Sequence, residues 1–201
     1  MSEPALANYP ALPVASKTGD ESLHRGGHPL DCHLLDFWRW SASDLMSNAT
    51  RGVLAEWIVA RSLGIERTVR VEWDAFDLLT PSGISIEVKS GAYLQSWAQT
   101  RLSPIRFDIR PTRLEYEGGA AKRRAQIYVF CLLAHQDQAT VDPLDLSQWE
   151  FYVLPTSTLN QKLPIQQTLG LAGLRKLAPL KVKFDEIAAS INGLMAHSEA
   201  T

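Results

Sequence analysis

Cysteine is scarce. The 201 residues hold two, Cys32 and Cys131, with no C-x-x-C pair, which argues against a disulfide framework or a ribbon-type zinc site and fits a reducing cytoplasm. No stretch approaches the ~18 uninterrupted apolar residues of a bilayer-spanning helix, and residues 1–20 lack the basic start and apolar run of a secretion signal. The expectation is a soluble, cytoplasmic protein that does not enter a membrane. Excess charge of either sign is also missing: 20 Lys and Arg face 22 Asp and Glu, for a net charge of −2, so any surface for a polyanion must be local. No internal repeat or low-complexity tract is present. What remains is an ordinary globular composition, 45% apolar and 21% charged, with enough apolar material for one full core.

Along the chain, the first residues up to Gly27 are rich in Ala, Pro, Ser and Gly without a sustained period. From Leu30 the texture changes. Leu34, Leu35, Phe37, Trp38 and Trp40 cluster, and a helical region is expected there. A helix is predicted over Thr50 to Leu63, stopped by Gly64, a residue that tolerates the left-handed turn ending many helices. At about 100° per residue, Glu56 falls inside the apolar arc of that helix and should point toward the body of the protein. A strand is predicted over Val69 to Leu79 and another over Ile84 to Ser90, in which Ile84, Ile86 and Val88 alternate with Ser85, Glu87 and Lys89. Tyr93 to Thr100 reads as a helix. Ile105, Phe107 and Ile109 alternate as a further strand. Ala125 to Ala134 is apolar on both parities, as in a central strand covered on two sides, with Trp149 to Leu154 as its neighbour. Phe184, Ile187, Ala188, Ile191 and Leu194 return to a helical period.

Chemistry concentrates in the hairpin. Pro81-Ser82-Gly83 suits a type I turn followed by a left-handed residue, because Pro presets the first position and Gly accepts the last. Thr80 then pairs with Ile84, and counting back sets Asp77 across from Glu87, with Lys89 on the same face. Cβ atoms of such neighbours lie roughly 5 Å apart, and like charges there destabilise the pair. A divalent cation would remove the conflict. Asp77 and Glu87, with the Val88 carbonyl, offer the oxygen ligands that Mg²⁺ takes, and Lys89 could neutralise phosphate or assist an attacking water. Asp74 is the rival ligand, but its parity puts it on the other face unless a bulge intervenes.

Asp77, a turn and then Glu87-Val88-Lys89 resemble the D…(D/E)-x-K signature of the PD-(D/E)xK, or restriction-endonuclease-like, nuclease superfamily. The resemblance implies an α/β fold: a central mixed sheet of four or five strands flanked by helices, in the order αβββαβ, over roughly residues 45–155. One departure is visible, since the third strand follows the crossover-like helix instead of the hairpin. Another is that Asp77 follows Phe76, not proline. The resemblance further implies Glu56 as a site glutamate from the first helix, and a site glutamine, Gln95 in preference to Gln99, on the helix after the signature. On this reading residues 1–29 form a flexible arm and 30–201 a single nuclease-like domain with C-terminal helices. The expected activity is Mg²⁺-dependent phosphodiester hydrolysis, with Mn²⁺ able to substitute, by a DNA endonuclease whose catalytic group is Asp77, Glu87, Lys89, Glu56 and Gln95.

Simpler readings compete. Acid and lysine residues alternate on many solvated strands, so the motif could be a salt-bridged polar face, and Glu56 could pair with a cation from another element. The fold could also serve as a catalytically silent nucleic-acid-binding or interaction module. His24, His28, Cys32 and His33 supply zinc-ligand types, but with irregular spacing. Trp38, Trp40, Trp57 and Trp73 read as core or helix-packing residues. From Gln99 to Arg124, Arg101, Arg106, Arg110, Arg113, Lys122, Arg123 and Arg124 outnumber Asp108, Glu115 and Glu117. That local excess suits phosphate contacts, with Arg101, Lys122, Arg123 and Arg124 the leading candidates beside the Gly118-Gly119 loop. DNA is favoured over RNA as partner by the resemblance alone, and a homodimer is left open. With no helix-turn-helix or zinc finger evident, target choice would rest on nucleic-acid structure or on a partner.

Overall fold

A computed structural model describes residues 12–66, 69–70, 75–113 and 120–199 of the chain. In order, the elements are β1 (Ser22–Arg25), β2 (His28–His33), α1 (Leu34–Ala42), α2 (Asn48–Ser62), β3 (Leu78–Leu79), β4 (Ser85–Ala92) and β5 (Arg106–Asp108). There follow β6 (Ile127–Leu133), β7 (Trp149–Pro155), α3 (Thr156–Lys162), β8 (Thr168–Gly170), α4 (Leu171–Lys176), β9 (Leu180–Val182) and α5 (Ile187–Glu199). Five strands make a mixed sheet in the order β3-β4-β6-β7-β9, in which β4 and β6 run parallel and the other pairs antiparallel. The protein is thus α/β with a central mixed sheet flanked by helices.

The sequence of β6 explains its place. All seven of its residues are buried, because alternate side chains feed two separate cores. Ile127, Val129, Cys131 and Leu133 join Ile86 and Val88 of β4 under Ala55, Ile58 and Val59 of α2 and Ile187 and Ile191 of α5. On the reverse face Tyr128, Phe130 and Leu132 pack with Phe107 of β5, Leu159 of α3, Leu169 of β8 and Leu174 of α4. Each large apolar side chain removed from water in this way contributes about 1.5–3 kcal/mol, so the double-sided burial of β6 anchors the sheet. The α2 helix begins where Ser47 caps it, accepting the Thr50 N–H, and its end passes into Gly64 at φ +71°, as expected of a glycine stop.

Two expectations for the crossover between β4 and β6 are corrected. Residues 93–100 form turns, not a helix. The Gln99 side chain takes over bonds that a helix would supply from its backbone, accepting the Gln95 N–H (2.7 Å) and donating to the Tyr93 carbonyl (3.2 Å) and Ser103 Oγ (3.0 Å); side-chain bonds of this kind compete with regular structure. The alternating segment after it is a strand, β5, but it does not enter the central sheet. It pairs with β8 in a separate two-stranded layer, resting on the sheet through Phe107, which meets Phe130 edge to face at 5.0 Å between centroids. Among the described residues the expected αβββαβ order is not seen: only β3 and β4 of the supposed three-strand meander lie in the sheet, and the described part of the crossover holds no helix.

At the N-terminal side, β1 and β2 pair with each other and with no strand of the central sheet. Their register sets His24 opposite Pro29 and Arg25 opposite His28. No group of three or more His, Cys, Asp or Glu among the described residues could hold a metal ion, so the zinc reading of His24, His28, Cys32 and His33 falls. The tryptophans do not fill the core as expected: Trp40 and Trp57 are exposed and Trp38 is partly so, while Trp73 and Asp74 lie outside the described residues. Among those residues no helix is long and apolar enough to cross a membrane.

Arg123 is a further correction. Expected at a nucleic-acid surface, it is 7% exposed and braces the crossover against the segment after α3. Its guanidinium donates to the Ile109 carbonyl (2.7 Å), Asn160 Oδ1 (3.0 Å) and the Leu163 and Gln166 carbonyls (2.8 and 3.1 Å). A planar five-donor head suits this multiple bonding. Arg123→Ala, which strands these acceptors, is expected to lower stability by about 2–4 kcal/mol in urea denaturation; a loss under about 0.5 kcal/mol, typical of a surface change, would contradict the brace.

Candidate active site

The hairpin forms with the turn its sequence calls for. Gly83 sits at φ +84° and donates to the Thr80 carbonyl (2.9 Å), Thr80 N–H donates to the Ile84 carbonyl (3.0 Å), and Leu78 pairs with Ile86 and Leu79 with Ser85. At Asp77 the ladder ends. Its N–H donates to the Ile86 carbonyl (3.1 Å), and its side chain turns back so that Oδ2 accepts the Val88 N–H at 2.7 Å. Asp77 therefore lies against the Glu87-Val88 segment. Glu87 and Lys89 project together from β4, and Lys89 Nζ donates to Glu87 Oε1 at 2.5 Å.

The electrostatics match this crowding. Burial and then the neighbouring Glu87 charge push the Asp77 carboxyl up to about 7, with a further contribution from Glu56, while the Val88 N–H and Lys89 oppose the rise. Burial alone would lower the Lys89 ammonium, but the Glu87 and Asp77 carboxylates outweigh it and hold Lys89 above its ordinary value. For scale, two charges ~5 Å apart at an effective dielectric near 20 repel by roughly 3 kcal/mol, several times the roughly 0.2–1 kcal/mol of a favourable cross-strand pair. A lysine beside one acid relieves part of this, and protonation of the other relieves more.

Glu56 reaches the same neighbourhood from α2, on the opposite side of the sheet from β5. Arg70 donates to its carboxylate through Nε and through Nη2 (3.1 Å), the partner from another element that the simpler reading expects, and Glu56 adds to the field on Asp77. Glu56 also lines a cavity together with Asp77 and Arg70. Gln95 lies past the end of β4, where Nε2 donates to the Ala92 carbonyl (2.9 Å) and Oε1 accepts from Arg51 Nη1 (3.4 Å). It shares a cavity of about 430 Å³ with Lys89, Arg106 and Trp97. Among the expected phosphate contacts, Arg101 and Lys122 are exposed and Arg124 is partly buried; Glu115, Glu117, Gly118 and Gly119 lie outside the described residues.

Three residues near the site escape a linear reading. Tyr128 is the register neighbour of Glu87 on β6, buried, and its hydroxyl is held above its usual value by burial and by Glu87. Arg51, buried under the start of α2, donates to the Met46 carbonyl (2.7 Å), Asn48 Oδ1 (2.6 Å) and Ser90 Oγ (3.2 Å). Arg70 is the third. None carries a local motif; each is placed by contacts 14 or more residues away in the chain, apart from the local bonds of Arg51.

These features define an α/β protein with two apposed carboxylates and an ammonium at the open side of its central sheet. The family described as bacteriophage T4 endonuclease IV matches residues 33–171, well over half of the chain. The chain belongs to that family and is a nuclease. No curated protein matches it.

The raised Asp77 carboxyl gives a pH test. Because the folded form binds this proton more tightly than the unfolded form, whose carboxyl titrates near ~3.9, metal-free stability should fall as pH rises from about 4 to about 7 and then level off. Asp77→Asn, which keeps an oxygen for the Val88 N–H, should flatten that slope and gain about 1–2 kcal/mol over the parent at pH 8 but little at pH 4. Urea titrations in a chelator across pH decide it; an Asn variant less stable than the parent at pH 8 would refute the tension.

Proposed function

We propose that the chain is a metal-dependent DNA endonuclease whose cleavage centre is Asp77, Glu87 and Lys89, in the manner of the PD-(D/E)xK nucleases. The observation that carries this reading is the hairpin geometry: the Thr80–Gly83 turn ends β3 so that Asp77 folds onto the Val88 N–H beside Glu87. An acid, an acid and a lysine converge there on one edge of the sheet.

The donor set fits Mg²⁺ or Mn²⁺. Asp77 and Glu87 supply hard oxygen ligands, and the charge conflict between them is what a bound cation would relieve. The Val88 carbonyl is a third candidate ligand, since in a strand it lies on the same edge as the N–H that faces Asp77. A divalent ion held by these groups would supply Lewis-acid activation of the phosphodiester and of a water nucleophile. The protein's own contributions are distinct. Burial keeps the two carboxylates in a water-poor setting where their field is strong. Lys89, held charged by its acidic neighbours, lies where it can stabilise negative charge developing on the phosphate. Glu56 adds to the field that burial and Glu87 impose on Asp77, and Gln95 lines the adjoining cavity. DNA as substrate rests on the name of the family.

Glu87→Gln removes one charge at nearly constant shape. It is expected to reduce divalent-dependent cleavage of plasmid or oligonucleotide DNA by about a thousandfold, in the range of lost electrostatic stabilisation, with DNA binding retained. Unchanged cleavage would refute the assignment of this centre, and a parent that binds DNA without cutting it in Mg²⁺ or Mn²⁺ would favour the binding-module alternative.

A further inference from the structure

We propose that Trp97 is a stacking platform for a nucleobase next to the scissile phosphate, and that Arg106 is the phosphate contact beside it, so that the cavity joining both to Lys89 is a nucleotide subsite. The inference rests on the nuclease reading above and extends it to residues outside the cleavage centre.

Trp97 is 53% exposed. Half of its indole is therefore open to a base that stacks on it. It does not sit on a loose loop. Ser103 N–H closes the segment onto the Tyr93 carbonyl at 2.9 Å, and Gln99 ties the interior through its bonds to Gln95, Tyr93, Arg101 and Ser103. The ring is thus held at the rim by a cross-braced turn, which limits the ordering cost of using it.

The cavity beside it has the composition of a nucleotide site. At about 430 Å³ it is lined by Trp97, Gln95, Arg106, Asp108 and Asn48, and it reaches Lys89. Its cations divide by role. Arg51 is buried and consumed by Met46, Asn48, Ser90 and Gln95. Asp108 is engaged by Arg110 at 2.8 Å. Arg106 is exposed on β5 and forms no ion pair among the described residues, so its charge is available. An aromatic face next to an uncommitted guanidinium is the combination that holds a base and its backbone phosphate, at about 1–3 kcal/mol per stacked base. The aromatic face also accounts for what Lys89 alone would not provide, a fixed position for the nucleotide relative to Asp77 and Glu87.

The test uses a short fluorescein-labelled DNA oligonucleotide, unpaired around the mapped cleavage position, and a second version with an abasic residue beside that position. Binding is measured in chelator on the Glu87→Gln background, so affinity is read without cleavage; KM and kcat are measured on the parent. Trp97→Ala is expected to weaken binding of the intact oligonucleotide about tenfold, the equivalent of ~1.4 kcal/mol, and to raise KM far more than it lowers kcat, while Trp97→Phe restores most of the affinity. The abasic oligonucleotide should cost the parent a similar factor and cost Trp97→Ala nothing further, as expected when one interaction is removed from either side. Arg106→Ala should reduce the magnitude of the log–log salt dependence of binding by about 1. Equal abasic penalties in parent and Trp97→Ala, or wild-type affinity in Trp97→Ala, overturn the subsite while leaving the cleavage centre standing. Conversely, a Glu87→Gln protein that still cuts would remove the cleavage assignment, with the stacking comparison still readable as binding. An oligonucleotide that does not bind the folded protein overturns both.

Discussion

Like charges rarely face each other across a two-stranded turn, and here the backbone forces them to. Pro81-Ser82-Gly83 fixes a tight reversal, Thr80 bonds back to Ile84, and Asp77, just beyond the end of β3, is held beside Glu87 by its bonds to the Ile86 carbonyl and the Val88 N–H. The repulsion is met in part by Lys89, in part by the Val88 N–H and in part by the proton that the Asp77 carboxyl retains up to about 7. A hairpin selected only for stability would gain by losing one acid. The retained conflict is the feature on which the proposed cleavage centre rests.

The rest of the fold keeps this hairpin in place while leaving one flank open. β4 is fixed on one side by seven parallel register positions with β6, and α2 covers one of its faces with Ala55, Ile58 and Val59. On the other face the β5–β8 layer covers Gly91 closely, since a Cβ there would lie 3.1 Å from the Phe107 ring, but it stops short of burying Glu87 and Lys89 completely. Rigidity therefore comes from the centre of the sheet and access from the shortness of β3 and β5. The crossover, braced by Arg123 at one end and by Gln99 at the other, carries Trp97 and Arg106, the residues of the proposed nucleotide subsite.

Much of this was readable from local pattern. The turn register followed from Pro81 and Gly83, the helix stop from Gly64, and the central position of β6 from its apolar run on both parities. What the pattern could not reveal was which sheet a strand joins: Ile105, Phe107 and Ile109 alternate as any edge strand does, and only the Phe107–Phe130 contact shows that they lie over the sheet and not in it. Residues 93–100 have a helix-compatible composition, and the side-chain bonding of Gln99 decides against the helix. Arg123 illustrates the limit for charge. In a run of Lys122, Arg123 and Arg124 it looks like a surface cation, yet four acceptors distant in sequence draw it inside. Arg70 and Tyr128 stayed hidden for the same reason, because their roles exist only once the chain has folded.

The central claim is that Asp77 and Glu87 share one divalent cation, and a crystal soaked in Mn²⁺ tests it most directly through anomalous scattering. The account predicts a peak between the two side chains, within coordination distance of an oxygen from each, about 2.0–2.3 Å. A map with no peak there, in crystals of a protein whose cleavage of DNA depends on Mn²⁺, would contradict it.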